Sequence, residues 1–212
     1  MNRIWILLLL IATAGLPVII VFVWLRAKKS DITWLWFLAS LAAGIISLLA
    51  AVFLQSLFPA PGRGMLWQLF FGVFLRIALV EEASRLVTII PLIKAGNRRQ
   101  NRNSTFGASL GLVAGIGFAM MENAFYGTAN INITLIRAFT AAPLHGACGI
   151  RAGEAVFIFR ERPVKSLFLF VSAVIIHGAY NLMILSPALP SFLAIPVAYA
   201  ALFASLYYIN KN

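Results

Sequence analysis

An apolar run over 65–93 is interrupted near its middle by two adjacent carboxylates and a guanidinium, in Glu81-Glu82-x-x-Arg85. A run of that length is what one helix needs to cross a hydrocarbon core roughly 30 Å thick. A charge near the centre of such a core costs roughly 2.5–3.5 kcal/mol on insertion scales, so it needs a partner and marks a functional position by default. The rest of the chain must therefore supply polar groups at the same depth.

The whole composition agrees with a membrane setting. Of 212 residues, 62% are hydrophobic and 11% charged, which fits a polytopic helical membrane protein and leaves no stretch for a second, soluble domain. The net charge of +11 would suggest nucleic acid in a soluble chain. Here the basic residues lie between apolar runs, so the positive-inside bias and membrane lipid account for them and no nucleic-acid partner is expected. The single cysteine, Cys148, excludes a disulfide framework. The opening Met-Asn-Arg-Ile-Trp-Ile-Leu resembles a leader, but its apolar run continues to Leu25 and only then meets a basic cluster. A retained first helix is expected.

The fold expected is an all-α transmembrane bundle forming one domain over 1–212, with about seven spans: 4–25, 33–58, 66–93, 106–126, 132–158, 166–186 and 190–209. The motif-bearing core is expected at about 66–186. Pro59, Pro61 and Gly62 break the chain after the second span, Asn130 and Asn132 fall in the turn after the fourth, and Pro187 and Pro190 separate the last two. Eleven basic residues gather in the loops on one side: Arg26, Lys28, Lys29, Lys94, Arg98, Arg99, Arg102, Arg160, Arg162, Lys165 and Lys211. Two, Arg3 and Arg63, lie on the other side. That bias predicts an outside N-terminus and a cytoplasmic C-terminus.

Of six acidic residues, Asp31 and Glu161 fall in loops, and Glu154 lies one turn past Arg151 as a local pair. Glu81, Glu82 and Glu122 are left inside the membrane, with the only two histidines, His145 and His177. At about 1.5 Å per residue, Glu81, His145 and His177 come near mid-depth, while Glu122 and Asn181 lie about 10 Å outward. These groups sit on four different spans. Facing lipid is costly enough that they are expected to converge. Arg85 can neutralise Glu82 from i+3 or Glu81 from i+4. Two carboxylates sharing one cation are expected to titrate as a coupled unit, a setting in which a general base and a proton donor coexist.

The fourth span carries Gly107, Gly111, Gly115 and Ala119 at every fourth position. Such a stripe lets another helix approach closely and would press Glu122 against it, with Phe118 packing beneath. Pro143 stands beside His145, and His177 shares a face with Asn181, where an imidazole and an amide could together donate to a developing oxyanion.

Glu81-Glu82-x-x-Arg85, Gly117-Phe118-x-x-x-Glu122-Asn123-x-x-Tyr126, Pro143-x-His145 and His177-x-x-x-Asn181 occur in that order over about 76–182. Together they resemble the motifs of PrsW-type intramembrane proteases, relatives of the CAAX-prenyl endopeptidases and bacteriocin-immunity membrane proteins. The family usually has lysine where this chain has Arg85, which keeps the charge and changes the geometry. The resemblance implies a multi-pass endopeptidase of the prokaryotic cell (inner) membrane that cuts transmembrane protein substrates, as in regulated cleavage of anti-sigma factors. It implies that Glu81 activates the water and Glu82 tunes or shares its proton. Glu122 and His145 would complete water or metal binding, and His177 with Asn181 would stabilise the oxyanion. Arg85, Asn123 and Phe118 would support them.

The family has been described both as glutamic-type and as metal-dependent. Glu122, His145 and His177, with Glu81 as base, match the donor types of catalytic zinc sites. No span holds the HExxH spacing, and a carboxylate-activated water needs no ion. No cofactor is firmly expected; zinc is the candidate ion. Two other classes use the same residues: a catalytically silent scaffold that binds transmembrane segments, and a proton-coupled transporter. A CAAX-type endopeptidase is disfavoured, because Glu122 stands where those relatives carry histidine.

Overall fold

The computed structural model describes residues 3–59, 66–100, 103–127 and 131–210. Arg63, Arg102, Asn130 and Lys211 lie outside them, as do Pro61 and Gly62. The described residues are helical almost throughout: α1 (Arg3–Ala27), α2 (Trp34–Ser56), α3 (Leu66–Phe71), a π-helical stretch (Gly72–Leu79), α4 (Val80–Gln100), α5 (Ser104–Gly127), α6 (Ile131–Ile158), α7 (Pro163–Leu185), a 3₁₀ turn (Ser191–Leu193) and α8 (Ala194–Asn210). No strand occurs among them.

Five helical segments are long and apolar enough to cross a membrane: Trp34–Ser56, Ser104–Gly127, Asn132–Ile158, Pro163–Leu185 and Ser191–Asn210. Ala12–Ala27 adds a shorter apolar helix. The segment that carries Glu81 and Glu82 is not among the five; it holds Arg76, Glu81, Glu82 and Arg85 within ten residues. Asn132 lies within α6 rather than in the preceding turn, and Lys94 lies within α4, which runs on to Gln100.

The side chains are arranged as lipid requires. Large apolar residues cover the outside, with Leu35, Val164 and Phe203 each more than two-thirds exposed. Charged and polar ones fill the inside: Glu82 and Arg85 are fully buried, and Glu81, His145 and His177 nearly so. Apolar burial gives little drive between helices in lipid, so close backbone packing and polar contacts must hold them.

Helix α5 is the axis of that packing. Residues Phe106 to Ala119 are all buried, between α2 on one side and α6 on the other. A Cβ at Gly111 would stand 2.0 Å from the carbonyl oxygen of Gly149, and one at Gly115 would stand 2.1 Å from that of His145. On the α2 side, a Cβ at Gly44 would stand 2.0 Å from the carbonyl oxygen of Ala114. Only glycine permits approaches this close. The contact at Gly115 sets His145 directly against α5. Glu122, two turns further along the same helix, then reaches the His145 ring.

Candidate active site

The site is built outward from α4. Glu82 lies on its first turn, and its Oε2 accepts a hydrogen bond from Nη1 of Arg85, one turn on. Its Oε1 lies 2.7 Å from Nδ1 of His177 on α7. Both oxygens are therefore engaged, one by a cation and one by an imidazole, and this carboxylate acts as an anchor. Of the two glutamates that Arg85 could pair with, the guanidinium takes Glu82.

Glu81 is placed differently. Its Oε1 accepts from Nε2 of Gln55 at 3.1 Å. Gln55 is itself held at the end of α2, where its carbonyl oxygen accepts from Nη2 of Arg76 at 2.8 Å. Oε2 of Glu81 is buried with no hydrogen-bond partner and lies 3.5 Å from Nε2 of His177. The π-helical stretch ends two residues before Glu81, and such wide turns recur at functional sites.

His145 bridges two charged groups. Nη2 of Arg85 lies 3.1 Å from its Nδ1, and Oε2 of Glu122 lies 2.9 Å from its Nε2. A guanidinium has only donors, so Nδ1 accepts and Nε2 carries the proton toward Glu122. Glu122 in turn accepts from Nη2 of Arg137 at 2.6 Å, and Nε of Arg137 donates to Oδ1 of Asn123 at 3.0 Å. The same guanidinium lies 4.1 Å over the ring of Tyr126. Arg137 is thus held inside the bundle by three residues of α5.

Phe118 is fully buried, its ring centroid 4.9 Å from that of His145 and 4.6 Å beneath the Arg85 guanidinium. The rings of His145 and His177 meet edge to face at 4.9 Å. Asn181, one turn past His177, is half-buried and, among the described residues, bonds to none of these groups. Further along α6, Arg151 donates to Ser205 and Ser172, which ties α6 to α8 and α7. Sequence reasoning did not single out Gln55, because a lone glutamine near a helix end carries no pattern.

One group of donors could hold a metal ion: Glu81, His145 and His177, all buried, offer ligand atoms that lie within 4.8 Å of one another. The expected trio had Glu122 in place of Glu81, but Glu122 is engaged by Arg137 and His145. The chemistry of the donor set fits a divalent cation. When the Nδ1–H of His177 donates to the Glu82 carboxylate, its Nε2 presents a lone pair toward Oε2 of Glu81. Two acceptors then converge on one point, as they do around a cation. A carboxylate on the far nitrogen of a histidine is also the usual outer support of a metal-binding imidazole. His145 would join by exchanging one of its two present partners.

A family model described as PrsW family intramembrane metalloprotease matches residues 32–209 of the 212-residue chain. The match takes in every residue of the cluster. No curated protein and no solved structure matches the chain.

Proposed function

The chain belongs to the PrsW family of intramembrane metalloproteases, and from this premise we propose that it hydrolyses peptide bonds of membrane-spanning protein substrates at the Glu81–His145–His177 cluster. The observation that carries the reading is the unengaged Oε2 of Glu81, buried and 3.5 Å from Nε2 of His177. A buried carboxylate oxygen without a partner is costly, and such exceptions call for a chemical role.

Glu81 is the base. Gln55 holds one oxygen, which leaves the other to take a proton from water as that water attacks the scissile carbonyl. The C–O bond forms as the carbonyl π pair moves onto oxygen. His177, held by Glu82, and Asn181, one turn away on the same helix, stabilise that developing oxyanion. Collapse of the intermediate breaks the C–N bond, and the proton on Glu81 passes to the leaving amine. Where Glu81, His145 and His177 hold a divalent cation, zinc being the candidate, it would supply Lewis-acid polarisation of the water and the carbonyl in place of proton transfer to Glu81. Phe118, Arg85 and Glu122 keep the two imidazoles in place.

The substrate class follows from where the cluster lies, enclosed by helices whose outer faces are apolar, so that a substrate reaches it from within the bilayer. The seven-span topology with an outside N-terminus and a cytoplasmic C-terminus rests on the loop charges. With the helical rise, it puts the cluster near mid-depth of a prokaryotic cell membrane, with Glu122 and Asn181 on its outer side. The test is cleavage of a single-span substrate in proteoliposomes. His177→Ala is expected to abolish product while the protein stays folded. Product at the wild-type rate from His177→Ala would overturn the assignment.

A further inference from the structure

A second polar site lies at the opposite end of α5, about 20 Å from Glu122 by the helical rise from Ser109. It is a cavity of about 350 Å³ where the end of α1, the start of α5 and the end of α8 meet. Its charged lining consists of Lys28, Lys29 and Asp31, and Ser109, Thr105 and Asn210 are among its polar walls.

Two observations point to a ligand there. Ser109 is 1% exposed and lines the cavity. Oγ1 of Thr105, one turn earlier on the same helix, is buried and lacks a partner. A hydroxyl taken from water without an acceptor costs about 1–3 kcal/mol. Thr105 and Ser109 present their hydroxyls on one face at the start of a long helix, which suits an oxyanion.

The backbone supplies the opposing charge at a cost. The N–H of Ser30 bonds to the carbonyl of Leu25 and that of Lys29 to Arg26, which closes α1 in the pattern that favours glycine at its left-handed position. Lys29 occupies that position, with φ 52°, and is the only non-glycine residue with positive φ among those described. Lys28 bonds to Asn210 of α8 and lies 5.1 Å over the ring of Trp24, so its ammonium is held at the rim. Asp31, the one carboxylate of the lining, is itself engaged.

We propose that this cavity binds a phosphate oxyanion, presented by an anionic phospholipid headgroup or as free phosphate, between Lys28, Lys29 and the Thr105 and Ser109 hydroxyls. The site is independent of the hydrolytic cluster and of the reading given to it.

The test is thermal unfolding of the purified protein in detergent, titrated with phosphatidylglycerol, with diacylglycerol, which lacks the phosphate, and with inorganic phosphate. Phosphatidylglycerol is expected to stabilise saturably and diacylglycerol not to. Lys29→Gly restores the favoured residue at a left-handed position, so it is expected to fold at least as well as the wild type while binding about fivefold more weakly. Ser109→Ala is expected to weaken binding in the same direction. Saturable stabilisation by inorganic phosphate would support the oxyanion as free phosphate, and its absence beside a phosphatidylglycerol effect would support the headgroup. Equal effects of phosphatidylglycerol and diacylglycerol, no effect of either phosphate source, or wild-type affinity in Lys29→Gly would overturn the proposal.

Discussion

Nδ1 of His177 lies 2.7 Å from Oε1 of Glu82, while Nε2 of the same ring lies 3.5 Å from Oε2 of Glu81. One imidazole thus joins two adjacent carboxylates of opposite character, an engaged anchor and an open oxygen. The anchor should matter through the ring it holds. Glu82→Gln weakens the support of His177 and removes the charge paired with Arg85. Loss of such an outer partner costs about 10–100-fold in activity or metal affinity. The expected result is a fall of that size in kcat with KM little changed, read on the reconstituted substrate. Breaking a buried pair should also lower stability by about 3–5 kcal/mol, seen as earlier thermal unfolding.

Gln55 tests whether the orientation of Glu81 matters separately from its charge. Gln55→Met keeps the side-chain length and removes the donor to Oε1. A hydrogen bond to a charged group contributes about 1.5–3 kcal/mol, so kcat should fall about tenfold to a hundredfold. Gln55 is half-buried at the end of α2, and the unfolding temperature should change little.

The α5–α6 contact gives a prediction on stability alone. Gly111→Ala places a methyl group 2.0 Å from a backbone carbonyl oxygen. Overpacking of this kind costs about 1–3 kcal/mol, and here the neighbour is backbone that cannot turn aside. Gly15→Ala, with nothing within 4 Å of the new Cβ, should be neutral or stabilising. Thermal unfolding of the two variants side by side checks the contrast.

Arg137 and Glu122 should behave as a coupled pair. Arg137→Gln leaves Glu122 bonded to His145 without its cation, and Glu122→Gln leaves Arg137 with Asn123 and Tyr126 alone. The double variant is expected to destabilise less than the sum of the two single changes, with a coupling of about 0.5–3 kcal/mol. A double-mutant cycle on unfolding midpoints measures it, and strict additivity would mean that the pair is incidental.

The chain disclosed its chemistry unevenly. Glu81, Glu82, Arg85, His145 and His177 stood out because ionisable groups are rare in apolar runs, and the all-helical architecture followed from the same runs. The small-residue stripe on α5 announced a close helix contact through its spacing. Partnership across helices was less legible. Arg85 could reach Glu82 from i+3 or Glu81 from i+4 by spacing alone, and in the fold its guanidinium takes Glu82. Glu81 rather than Glu122 stands with the two histidines in the group that could hold a metal ion, because Arg137 reaches inward from α6 and occupies Glu122. A uniform 100° step also misjudges faces across Gly72–Leu79, where the helix widens to π geometry. Gln55 was invisible for a simpler reason: its role exists only through the residue it faces.

The most direct test of the central claim is the initial rate of substrate cleavage by Glu81→Gln in proteoliposomes, beside wild-type protein of equal folded content. The amide keeps the shape and the contact with Gln55 but cannot take a proton from water. The rate should fall at least about 10²–10⁴-fold, the contribution usual for a positioned base. Turnover within tenfold of the wild type would contradict the account and move the base to another residue.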